Sequence, residues 1–143
     1  MSVEVIELHH HGLRVNPKEA EQALSWYQSV LGLSADPGRP DIPGIPGYWI
    51  DCGNDTQIHV MGVEGASRFA KELDQDPTSP HIALAVRDIA AARAELDRMH
   101  VPYWVLESAV APDSTQLFVN DPGGNLIELH QLGTCRCKAS ARG

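Results

Sequence analysis

The sequence predicts an α+β fold: two tandem βαβββ modules forming a curved eight-stranded mixed sheet with the helices on its outer face. Three observations predict it. The order strand, helix, strand, hairpin runs twice along the chain, and repetition of that kind usually sets the architecture. The segments His10-His-Gly-Leu-Arg-Val15 and His81-Ile-Ala-Leu-Ala-Val86 keep one register, five residues separating first from last in each. Finally, 143 residues with 43% apolar and 21% charged side chains suit one domain with an adequate core, which excludes a disordered or fibrous chain.

Each element follows from its pattern. Residues 8–15 (LHHHGLRV) alternate with period 2 and read as a strand. After Asn16-Pro17, KEAEQALSWYQSVLGL sets Ala20, Ala23, Leu24, Tyr27, Val30 and Leu31 at helical spacing, with Gly32 as the C-terminal cap. Residues 34–47 hold four prolines and three glycines and read as a stiff surface loop, placed where it could cover one end of a site. YWIDC and TQIHVM flank Gly53-Asn54-Asp55, a hairpin signal. Module two repeats the order: a strand at 81–86, Asp88 capping IAAARAELDRMH, a short strand at Val101-Pro-Tyr-Trp104, then TQLFVN and NLIELHQ joined through Asp121-Pro-Gly-Gly124. The expected boundaries are one domain over 1–143, with module one at about 5–63, module two at about 79–132 and a tail at 133–143.

Composition narrows the function. Against 19 Asp+Glu stand 11 Lys+Arg, a net charge of −8 without a basic cluster, so nucleic acid and anionic membrane are not expected partners. No apolar run reaches the roughly 18 residues of a membrane span and the start lacks signal-peptide zones, so a cytoplasmic protein is expected. Three cysteines are too few for a disulfide framework: Cys52 reads as a small core residue, and Cys135 and Cys137 as part of a frayed tail.

The informative residues are polar ones that a half-buried strand does not need. His10 and His81 open the first strand of each module, and His59 and Glu128 lie in the last strand of each. At positions related by the repeat, the four can converge on a shared hollow, where imidazole and carboxylate are the donors that divalent Zn, Fe, Ni, Co or Mn accept. An ion would also relieve the cost of burying a carboxylate. His130, two residues after Glu128, shares its strand face and is either its partner or part of a fraying strand end. His9, His11 and His100 have no counterpart in the repeat and read as ordinary polar residues, while Trp49 and Trp104 read as core or as cavity lining.

These segments, with Trp26-Tyr-Gln-Ser-Val-Leu-Gly-Leu33 and above all Asp121-Pro-Gly-Gly-Asn-Leu-Ile-Glu-Leu129, resemble the vicinal oxygen chelate superfamily of glyoxalases, extradiol dioxygenases, epimerases and bleomycin-resistance proteins, over nearly all of residues 6–132. The resemblance puts that family's four metal positions on His10, His59, His81 and Glu128, with one divalent ion per site that holds two adjacent oxygens of a small substrate. It implies a homodimer and isomerase- or lyase-type proton transfer with Glu128 as shuttle and His59 as the other catalytic residue. Glyoxalase I usually carries glutamate where this chain has His59. Two alternatives accompany this reading. One is an Fe(II) extradiol-type dioxygenase using His10, His81 and Glu128 as ligands and His59 as a second-sphere acid or base. The other is a non-catalytic small-molecule binding protein. Arg14 matches an arginine that contacts the glutathione carboxylate in glyoxalase I, but arginine on a partly solvated strand more often meets a local carboxylate.

Overall fold

A computed structural model describes residues 2–109 and 111–134, so Cys135 and Cys137 lie outside the described residues. The elements are β1 (Val5–Val15), α1 (Ala20–Leu31), β2 (Ser34–Ala35), β3 (Gly47–Asp51), β4 (Gln57–Gly62), β5 (His81–Val86), α2 (Ile89–Arg98), β6 (Trp104–Glu107), β7 (Thr115–Asn120) and β8 (Leu126–Gln131). Hydrogen bonding orders the strands β2-β3-β4-β1-β5-β8-β7-β6, an eight-stranded mixed sheet as the repeat predicts. Contacts divide the chain into two compact units, residues 10–80 and residues 1–9 with 81–143, and the division falls inside β1.

In the unit of residues 10–80, β1 runs parallel to β4, and β3 lies antiparallel to both β4 and β2. Asn16 caps a short 3-10 turn over Pro17–Glu19 by accepting from the Lys18 amide, and α1 follows. Gly32 ends that helix at φ 68°, a left-handed conformation that costs glycine little. The helix packs on β3 and β4. Of its expected apolar stripe only Ala20 is buried, while Val30 and Leu31 are exposed.

The proline-rich segment is tied down by two of its own side chains and by a backbone bond from β4. Arg39 Nη2 donates to Ile45 O at 2.8 Å, Gly38 N donates to Asp36 Oδ1 at 2.8 Å, and Gly62 N reaches Pro46 O at 2.6 Å. The short strand β2 inside it escapes period reading because two residues carry no period.

The unit of residues 1–9 and 81–143 repeats the arrangement: β5 is parallel to β8, which is antiparallel to β7, which is antiparallel to β6. Asp88 caps α2 by accepting from Ala91 N, as expected. Val86, Ala92, Leu96, Leu117 and Leu129 form the core between this helix and its strands. Two expectations need correction. The strand expected at 101–104 lies instead at Trp104–Glu107, because Pro102 has no N–H for the ladder and Val101 N closes the helix end on Leu96 O. Cys52 is exposed rather than in the core: it follows the last paired residue of β3, and its amide closes the hairpin turn on Thr56 O.

Candidate functional site

In the second unit the chemistry gathers on β8. Leu129 enters the core under α2, so strand alternation sends Glu128 and His130 to the opposite face. Glu128 is paired across the sheet with Ala83 and Phe118, and His130 with Ala85 and Gln116. Glu128 Oε1 lies 3.4 Å from His81 Nε2, and Oε2 lies 3.1 Å from His130 Nδ1. All three side chains are buried, with Glu128 at 3% exposure. The ring of His9, also buried, meets the His130 ring edge-on at 5.4 Å and 86°. A carboxylate taken this far from water requires donors or a cation, and here each oxygen faces one imidazole.

In the first unit three rings stack. His59 lies between His10, at 3.6 Å and 13°, and Trp49, at 4.6 Å and 8°. Trp49 is the cross-strand partner of His59, so both share one face. Gln57, two residues before His59 on that face, organises the ring. Its Nε2 donates to Asp36 Oδ2 and Asp51 Oδ1, each at 2.9 Å, and its Oε1 lies 2.9 Å from His59 Nε2. Two carboxylates can only accept, so the amide nitrogen must face them and the amide oxygen must face the imidazole. His59 Nε2 therefore donates, which in the neutral ring leaves the lone pair on Nδ1.

Arg14 is a staple within this unit. Its Nε donates to Thr78 O at 3.0 Å, its Nη1 to Gly65 O at 2.7 Å, and its Nη2 to Thr78 Oγ1 at 2.8 Å, with Asp76 Oδ2 at 3.3 Å. Asp76 also accepts from the amides of Ser67 and Thr78 and from both of their hydroxyls. Burial raises the pKa of that carboxyl, but the hydrogen bonds from Ser67 and Thr78 outweigh it and hold the group below its ordinary value. The local carboxylate expected for Arg14 is thus Asp76.

Of the four residues singled out by the repeat, the structure brings His81 to Glu128 in one unit and His10 to His59 in the other. His130 is the partner of Glu128 and not part of a fraying end, being 1% exposed. Sequence reading missed His9, and it missed the Asp36–Gln57–His59 chain. The period-2 relation of Gln57 to His59 was the available signal for the latter. His11 and His100 are exposed, whereas Trp49 and Trp104 are buried, the latter stacked on Phe118 at 4.1 Å. Among the described residues, His and Glu side chains are grouped closely enough to hold a metal ion.

The family profile Glyoxalase/Bleomycin resistance protein/Dioxygenase superfamily matches residues 7–129. Among solved structures, methylmalonyl-CoA epimerase from Mycobacterium tuberculosis is 26% identical, covering 99% of this chain and 95% of that one, with a TM-score of 0.68. The 2,3-dioxygenase LapB from Pseudomonas sp. KL28 is 19% identical over 96% of this chain and 44% of its own, with a TM-score of 0.63, which is a likeness of fold alone. No curated protein matches.

Proposed function

The chain belongs to the glyoxalase/bleomycin resistance protein/dioxygenase superfamily, and from that premise we propose that it is a divalent-metal enzyme catalysing proton transfer next to a carbonyl, of the epimerase or glyoxalase kind. The observation that carries this reading is the buried Glu128 carboxylate, facing His81 with one oxygen and His130 with the other. The donor set fits a divalent ion: three buried imidazoles and one buried carboxylate, with no hard all-oxygen cage and no thiolate. In this reading His10, His59, His81 and Glu128 hold the ion. When bound, it supplies a Lewis acid that polarises two adjacent oxygens of a small substrate.

The chain's own groups do the rest. In this reading Glu128 takes a proton from the substrate carbon and returns it, with His81 against Oε1 and His130 against Oε2 fixing how the carboxylate is turned. Gln57, through its Oε1 at 2.9 Å from Nε2, fixes how the His59 ring is turned. The likeness to an epimerase over almost the whole length of both chains favours this chemistry over the alternatives. A homodimer and a cytoplasmic location belong to the same reading. The described residues contain no helix long and apolar enough to cross a membrane.

Elemental analysis of the purified protein tests the premise. Stoichiometric Zn, Ni, Co, Mn or Fe is expected, with large loss in a His10→Ala/Glu128→Ala double variant. A protein that binds divalent ions no better than that variant is instead a metal-independent binding protein. Deuterium exchange tests the chemistry: in D2O, a 2-substituted malonyl thioester is expected to gain deuterium at C2 with the parent protein and none with Glu128→Gln.

One observation favours the dioxygenase alternative. The contact of His59 Nε2 with Gln57 suits an acid or base beside a three-ligand iron site. His59→Ala separates the two readings: large metal loss marks a fourth ligand and proton transfer, whereas full metal retention with loss of catechol-dependent oxygen uptake marks the dioxygenase.

A further inference from the structure

The face of β6, β7 and β8 that carries Glu128 also holds two polar groups without a hydrogen-bond partner among the described residues: Trp104 Nε1 and Gln116 Oε1. Both side chains are more than nine-tenths buried, at 9% and 6% exposure. Register fixes their place. Trp104, Phe118 and Glu128 lie opposite one another across the three strands, and Leu106, Gln116 and His130 form the next row. The parallel stack of Trp104 on Phe118 confirms that the indole is on this face. A buried donor or acceptor left unpaired costs free energy that folding does not recover. Here one donor and one acceptor sit on one diagonal of the sheet, on the face that carries Glu128, with the apolar Phe118 and Leu106 on the other diagonal.

We propose that Trp104 and Gln116 are specificity-determining residues. The indole N–H and the amide oxygen together receive a group that both accepts and donates, a hydroxyl or a carboxamide, carried on an apolar or aromatic part of the substrate. The inference rests on the metal-enzyme reading above, which assigns the substrate's two adjacent oxygens to the ion. A site built this way discriminates strongly, because an analogue lacking the polar group leaves both protein groups buried and unpaired.

The test uses the full chain loaded with cobalt, with benzohydroxamate and its 2-, 3- and 4-hydroxy isomers as probes in calorimetric titration. The hydroxamate supplies the adjacent oxygens and the ring hydroxyl supplies the second group. At least one hydroxy isomer is expected to bind tenfold or more tighter than benzohydroxamate. That preference should fall below threefold in Gln116→Met and in Trp104→Phe, while benzohydroxamate itself binds all three proteins alike. Gln116→Met should melt no lower than the parent, since it removes an unpaired group at nearly constant volume.

Equal binding of all the hydroxamates to the parent overturns the proposal, as does a preference that survives both substitutions. A melting temperature for Gln116→Met lowered by more than about 5 °C also overturns it, by showing that the amide supports the fold. Failure to take up cobalt removes the metal-enzyme reading, and this inference with it. Normal cobalt and benzohydroxamate binding without hydroxyl preference removes the inference alone.

Discussion

Glu128 shows how much one side chain's behaviour depends on its two neighbours. His81 on Oε1 and His130 on Oε2 restrict the carboxylate to one orientation, and the His9 ring edge restricts His130 in turn. Partners of this kind typically contribute 10- to 100-fold in metal affinity. We therefore expect His130→Phe to weaken divalent-ion binding by roughly that factor while keeping the fold. His130→Asn, whose amide N–H can stand where Nδ1 stands, should recover most of the affinity. Titration calorimetry with zinc checks both, and a His130→Phe protein binding zinc like the parent would show that the contact is only packing. His130 was legible as a neighbour of Glu128 from their two-residue spacing. His9 was not, because its partner ring stands near the other end of the chain and no local pattern links the two.

Where the chain leaves the strand ladders between β4 and β5, side chains anchor it. Residues 63–80 connect β4 to β5 largely without secondary structure, and Arg14, Asp76, Ser67 and Thr78 pin that connection to β1. The Asp76 carboxyl is held below its ordinary pKa in the folded protein. Its contribution to stability is therefore full above the unfolded value of about 4 and is lost as pH falls through the lower native value. Thermal melts from pH 7 to pH 3 should show that loss in the parent. Asp76→Asn should be less stable by about 2 kcal/mol at pH 7, with a flatter acid limb. An unchanged acid limb would mean that other carboxylates govern acid unfolding. At this scale the helices and most strands were readable from periods of 3.6 and 2. The displaced β6 and the two-residue β2 were not, since a proline and a very short strand leave no usable period.

Across the whole molecule the repeat is exact in topology: β2-β3-β4-β1 in one half corresponds to β6-β7-β8-β5 in the other, each with one parallel pair. β1 is the exception, at 11 residues against six for β5, and the two units divide within it between His9 and His10. For the homodimer of the proposed reading, sedimentation equilibrium at micromolar concentration should give twice the 15.6 kDa mass of one chain. A single-chain mass would remove the dimer from that reading without touching the chemistry.

The order of residues alone determined the doubled module, the mixed eight-stranded sheet with its two hairpins and the four repeat-related residues His10, His59, His81 and Glu128. All of these follow from alternation and spacing, which are local properties of the chain. Tertiary structure decided what each polar group meets: that Arg14 is tied to Asp76 and Thr78, that Gln57 dictates which nitrogen of His59 carries the proton, and that Trp104 Nε1 and Gln116 Oε1 are buried without a hydrogen-bond partner among the described residues. Gln57 and His59 are two residues apart and share a face by period, but what turns the amide is Asp36 and Asp51, and contacts between residues far apart in sequence form only when folding brings them together, so no periodicity records them in advance.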